Sequence, residues 1–205
     1  MKLKASPTRQ ELLKIKKRLK TARSGHKLLK EKLDGLMREF LGSVRGLKEL
    51  REVLEEKIPP ILFDFYMSGN RIGDEKAESL IEHFPYAESD LSFYNVMGVR
   101  IRKIGIRNEE KVLKTELSVK ATDYEMYNSK QKSNEIFDDI LKYANLTIKI
   151  RLLAEEIEKT RRRVNSLEHI YIPEMERIKK YISQKLEERE RFDRTVILKL
   201  KDLIQ

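Results

Sequence analysis

The sequence predicts a mainly α fold, a long antiparallel two-helix coiled coil from the N- and C-terminal segments with a small β-hairpin insert between them. Three observations carry that expectation. The chain is charge-rich and short of turn-forming residues, its first third holds a long heptad stripe, and its last third holds a second one.

Of the 205 residues, 40% are hydrophobic and 38% charged, with eight Gly and five Pro. That leaves too little apolar surface for a compact globule and too few breakers for many turns. The composition suits long helices that each bury one narrow stripe. With no Cys there is neither a disulfide framework nor a thiolate metal site. The opening MKLKASPTRQ has no apolar run behind its charges, so no secretory signal is expected. No stretch approaches the roughly 20 apolar residues of a membrane span. Residues 1–57 carry a surplus of nine positive charges and residues 131–205 a surplus of three, whereas residues 58–130 are net negative by two. The division expected is a helix over 1–68, an insert over 69–121 and a second helix over 122–205.

Thr8-x-x-Glu11 reads as a capping box opening the first helix. The seam then alternates steps of three and four through Leu12, Ile15, Leu19, Ala22, His26, Leu29, Leu33, Leu36, Phe40, Ser43, Leu47, Leu50, Leu54, Lys57 and Ile61. Twelve of these fifteen are apolar, about twice what composition alone supplies. A stripe of that period implies left-handed coiling. Pro59-Pro60 should end or sharply bend the helix, since two donors are lost and the residue before a proline is pushed out of the α region.

In the insert, Ser68 to Gly73 has turn composition, Glu75 to His83 fits a short helix, and Pro85 stops it. The alternation of Leu91 to Val96 and Val99 to Ile104 around Met97-Gly98 predicts a hairpin. Asn108 to Val119 is expected as loop, with a short third strand near Leu117. The insert should bind partners or trim activity without carrying the shaft.

Thr122-x-x-Glu125 offers a second capping box. The matching seam is Ile136, Ile140, Tyr143, Thr147, Ile150, Ala154, Ile157, Arg161, Val164, Glu168, Tyr171, Met175, Ile178 and Ile182. Beyond it, either Leu186 takes over by a stutter or the stripe continues through Phe192 and Val196. Pro173 should kink this helix. Pairing within the chain is favoured over a parallel dimer by effective concentration. Matching polar seam positions puts Ser43 near Arg161 and Lys57 near Thr147, with about two turns of C-terminal helix overhanging.

No phosphate-cradling, dinucleotide or zinc-protease motif is present, so no catalytic, cofactor or metal residues are proposed. A lone His on a helix is more often structural than a ligand, and His26 on the seam reads as a polar register layer. Arg161-Arg162-Arg163 spans most of a helix circumference. Its plain reading is a solvated face; Arg161 on the seam argues that part of it meets a partner. Gly25 costs a mid-helix position about 1 kcal/mol relative to Ala, which either marks close approach of another chain or is tolerated drift.

Two long motifs carry a family resemblance. One is Pro7-Thr8-Arg9 with Gly25-His26-Lys27-Leu28-Leu29-Lys30, then Lys32, Asp34 and Met37-Arg38. The other runs from Glu156 through Lys159-Thr160-Arg161-Arg162-Arg163-Val164-Asn165 to Glu168, then Ile172-Pro173 and Lys185-Leu186-Glu187-Glu188. They resemble the signature regions of the D subunit of the V-type and A-type rotary ATPases, with Ser166 where the family pattern has Ala. The resemblance implies a non-catalytic rotor axle through a hexamer of alternating A and B subunits. A small F subunit would bind its side. The lower end would seat in the funnel-shaped subunit (C or d) on the membrane rotor ring, at the cytoplasmic face and without a transmembrane segment of its own. Candidate hexamer-facing residues are Gly25, Lys27, Lys30, Arg161, Arg162 and Arg163. A different class of function, a basic coiled coil that binds nucleic acid or acts as a scaffold, is the alternative. Residues 14–32 are rich enough in Lys and Arg for phosphate binding. Sparse aromatics and many acids on the C-terminal helix count against it.

Overall fold

The computed structural model describes residues 6–73, 88–107 and 124–204. The expected helix at Glu75 to His83 with its stop at Pro85, the loop and strand expected within Asn108 to Val119, and Thr122 of the second capping box lie outside them. The elements are α1 (Arg9–Ile72), β1 (Ser89–Val96), β2 (Val99–Ile106), α2 (Tyr124–Ser166), a π-helical turn (Leu167–Tyr171) and α3 (Ile172–Ile204). The chain falls into two compact units, Met1–Gly35 with Ile157–Gln205, and Leu36–Glu156.

α1 begins where the capping residues put it. The Glu11 amide donates to the Thr8 hydroxyl at 3.2 Å, satisfying an orphan donor of the first turn, and the Leu12 amide donates to the Thr8 carbonyl at 3.0 Å, the first regular bond of the helix. Its apolar stripe is the inward face. Ile15, Leu19, Ala22, Leu36, Ser43, Leu54 and Ile61 are buried, and Leu12, His26, Leu29, Leu33, Phe40, Leu47 and Leu50 are half-buried. Lys57 is exposed, and Ile58 packs inward in its place.

Pro59 and Pro60 do not end α1, the first of the two outcomes expected of them. Their missing donors strand the carbonyls of Glu55 and Glu56, both on exposed residues where water can reach them. On either side, Leu54, Ile58 and Ile61 pack with Ile136 and Tyr143 of α2. Just beyond, the Ser129 hydroxyl donates to the Ile61 carbonyl at 3.0 Å and Lys132 pairs with Asp64 at 2.7 Å. Packing therefore carries the helix across the two rings. The turn expected over Ser68 to Gly73 shrinks to its last residue. Gly73 has φ 87° and donates to the Gly69 carbonyl at 3.0 Å, the left-handed stop that glycine allows.

In the unit formed by Met1–Gly35 and Ile157–Gln205, α1 and α3 run antiparallel. Ile15 and Leu19 pack with Met175, Ile178 and Ile182, flanked by Leu12, Ile172 and Leu186. Arg9–Glu190 at 2.8 Å and Arg23–Glu176 at 2.5 Å tie the outer edges. Leu186 takes over the seam after Ile182, while Phe192 and Val196 are exposed. α3 runs on to Ile204, past the Arg9–Glu190 pair, an overhang of about four turns rather than two.

The C-terminal seam departs from the predicted one at alternate positions. Leu153 and Thr160 are buried, whereas Ala154 and Arg161 are exposed, as are Ile140, Thr147 and Glu168. Steps of three then four from Ile150, and steps of four then three, share Ile157 and Val164, so counting alone does not separate them. Burial does: Leu153 hides more apolar area than Ala154, and Thr160 spares the desolvation of a guanidinium. Arg161 and Thr147, two of the polar positions used to match the register, are exposed. Within the unit Leu36–Glu156, Glu39 pairs with Lys149 at 2.5 Å.

At Leu167–Tyr171 the helix widens into a π turn, the Ile172 amide donating to the Leu167 carbonyl. It lies directly before Pro173, whose ring crowds the carbonyl four residues back and offers no donor to it. The kink expected there takes the form of this wider turn. One extra residue moves the seam from Leu167 on to Ile172 and Met175, and Tyr171, expected on it, is 38% exposed.

Within the insert, residues 88–107 form the predicted hairpin, each strand two residues longer at the end away from the turn, with Val96 paired to Val99 across Met97-Gly98. Both turn residues have positive φ, 51° and 86°, the combination that matches strand twist in two-residue hairpins. The Gly98 amide donates to Asn95 Oδ1 at 2.8 Å. Ile101 and Val99 are buried and anchor β2. The Ile104 amide donates to Asn145 Oδ1 at 2.7 Å, and Asn145 Nδ2 donates back to the Ile104 carbonyl at 2.9 Å, which docks the hairpin on α2.

Candidate functional site

The candidate residues belong to the unit of Met1–Gly35 and Ile157–Gln205. His26 Nε2 meets Glu168 Oε2 at 3.2 Å across the helix pair. In the antiparallel sense, Lys27 and Lys30 on α1 therefore stand at the level of Leu167 down to Val164. The arginine triplet follows immediately. Lys27, Lys30, Arg161, Arg162 and Arg163 are all exposed. Arg162 pairs with Glu158 one turn back. Among the described residues, Lys27, Lys30, Arg161 and Arg163 make no ion pair. The tier is thus an outward ring of cations over a buried seam of Thr160 and Val164. Arg161 belongs to that ring and not to the seam, a correction to the sequence reading. Gly25 is half-buried, and a Cβ built there meets no atom within 4 Å. Nothing among the described residues requires glycine at this position.

Of the seam residues expected, Leu19, Leu36, Val164 and Ile178 are buried and Leu12, Leu29, Leu33, Phe40, Ile150 and Ile157 half-buried. Tyr171 is the exception.

Three sets of exposed apolar residues lie outside the buried seam. The last turns of α1 expose Leu62, Phe63, Phe65 and Tyr66. The hairpin exposes Leu91, Phe93, Tyr94 and Met97, with the Arg100 guanidinium 4.1 Å over the Phe93 ring. The overhang of α3 exposes Phe192, Ile197, Leu198 and Leu200. The usable signal was an apolar surplus at helix ends that the heptad count leaves unassigned. Among the described residues no three His or carboxylate side chains converge as a metal site, and no helix is long and apolar enough to cross a membrane.

Comparison with known proteins places the chain in a family. The profile of the family described as the D subunit of ATP synthase matches residues 11–202. The V-type ATP synthase D subunit of Acetivibrio thermocellus is 38% identical over 205 residues, covering 98% of this chain and 92% of the relative. The protein of the same description from Thermoanaerobacter sp. is 38% identical over 200 residues (97% and 96%), and that of Clostridium botulinum 36% over 209 residues (100% and 97%). The nucleic-acid or scaffold alternative finds no support among these relatives. The chain belongs to the family of ATP synthase D subunits and is a central-stalk component of a rotary ATPase.

Proposed function

We propose that the chain is the non-catalytic axle of its complex, turning inside a hexamer of alternating A and B subunits. Rotation would couple ATP hydrolysis or synthesis there to ion movement at the membrane rotor ring. The observation that carries this reading is the helix pairing itself, sealed along an apolar seam and jacketed in charge. Such a shaft transmits torque through packed side chains yet offers its housing only weak surface pairs.

The cation tier of Lys27, Lys30, Arg161, Arg162 and Arg163 faces acidic patches of the hexamer in this reading, with Gly25 admitting close approach. Each exposed pair is worth about 0 to 1 kcal/mol, weak enough for the shaft to leave one orientation for the next. The aromatic end of α1 seats in the funnel-shaped subunit on the ring, and the small F subunit covers the side. The assembly lies at the cytoplasmic face, with this chain peripheral to the membrane.

The test is reconstitution with the purified A/B hexamer across a salt series. Replacing Arg162 and Arg163 with Glu should weaken assembly and ATP-driven coupling, most at low salt, with helicity unchanged. A reversed shaft that assembles and supports turnover like the parent would reduce the arginines to a solvated face.

A further inference from the structure

A groove lies beside the π turn. Leu167 and Tyr171 form one wall, and Lys14, Lys17, Arg18, Thr21 and Ala22 of α1 form the other, around about 420 Å³. On α1 the four polar residues recur at steps of three and four and so share one face. Tyr171 in the π turn is 38% exposed, and its ring and half-buried Leu167 give the groove an apolar floor alongside buried Ala22. The charged residues of the rim, Lys14, Lys17 and Arg18, are all basic. Lys14 reaches back to Glu11 at 3.7 Å, while Lys17 and Arg18 make no ion pair among the described residues.

We infer that this groove seats an acidic segment with an apolar anchor, contributed by the catalytic hexamer. The inference rests on the axle reading and adds a defined contact point to it. Rim charge selects the occupant's sign, since no acid lines the groove. The floor selects an apolar or aromatic side chain, which would cover Leu167 and the Tyr171 ring. A second copy of this chain is disfavoured because it would bring the same basic face. A nucleic acid would find one aromatic ring to stack on, where single-strand binders offer a series. The cations are surface groups, so the contact is weak and can be made by each hexamer segment in turn as the shaft rotates.

A photo-reactive phenylalanine analogue at Thr21 of the full chain, assembled with the purified hexamer, tests this. A matching probe at Leu13, which is 66% exposed and outside the groove, serves as reference. The Thr21 probe should link to a hexamer peptide in which acidic residues flank an apolar one. The double variant Lys17→Glu, Arg18→Glu should bind the hexamer on the order of tenfold more weakly at low salt, with the difference shrinking as salt rises and helicity unchanged. Linking from Leu13 but not from Thr21, linking of Thr21 to a second copy, or parent-like binding by the double variant would overturn the groove and leave the axle standing. A parent chain that fails to bind the hexamer at all would overturn the axle reading itself.

Discussion

Asn145 and Ile104 exchange two hydrogen bonds, the side-chain amide of one satisfying both backbone groups of the other, at 2.7 and 2.9 Å. An asparagine on a helix thereby acts as a further strand residue for the end of β2. Two strands are marginal alone, so this bond pair, with buried Ile101 and Val99, decides whether the hairpin stays docked. Asn145→Ala should leave the helices intact by circular dichroism while costing about 1 to 3 kcal/mol, since two partly buried groups lose their partner. Hydrogen exchange at the Ile104 amide should accelerate. An unchanged rate there would show that apolar contacts alone hold the hairpin.

Replacing both Pro59 and Pro60 with Ala restores two backbone donors in the interior of α1. Interior prolines cost a helix about 3 kcal/mol each, part of which is offset by the looser unfolded chain of the variant. Thermal unfolding should therefore shift upward. A lower transition would mean that the packing of Leu54, Ile58 and Ile61 depends on backbone geometry that the prolines impose.

The two phases of the C-terminal seam can be told apart by stability. Leu153 is completely buried, and truncation of a buried Leu to Ala costs about 2 to 5 kcal/mol. Arg161 is exposed, and Arg161→Ala should stay within about 0.5 kcal/mol. Denaturant unfolding of both variants checks this. The opposite ranking would restore the arginine to the seam.

Gly25→Ala separates folding from assembly. A methyl group there meets no atom of the chain within 4 Å, and removing a mid-helix glycine gains about 0.5 to 1 kcal/mol. The isolated protein should become more stable while its affinity for the hexamer falls. Gain in both would remove close approach as the reason for the glycine.

The sequence made α1 legible because its stripe stays apolar over many heptads, so neighbours such as Leu13, Leu28 and Leu41 did not displace it, and only Lys57 gave way, to Ile58. On α2 the choice between Leu153 and Ala154, or Thr160 and Arg161, was hidden by a scale that scores residues as apolar or not and ignores how much each buries. Proline chemistry was read as purely local. At Pro59 and Pro60 the flanking core overrode it, and at Pro173 the helix answered by widening, which moved Tyr171 outward. The hairpin was plain from its alternation and Met97-Gly98 turn, but its anchor was not. Asn145 lies 41 residues from Ile104 and carries no local signal. The cation tier was visible as charge, while the groove beside the π turn was not visible.

Rotation tests the central claim most directly. With the A/B hexamer fixed to a surface and a bead attached to the hairpin of this chain, ATP should drive unidirectional turning. Three equivalent catalytic pairs surround the shaft in the proposed assembly, so the bead should pause every third of a turn. A hexamer that hydrolyses ATP around a bound chain whose bead stays still, or only diffuses, would contradict the axle.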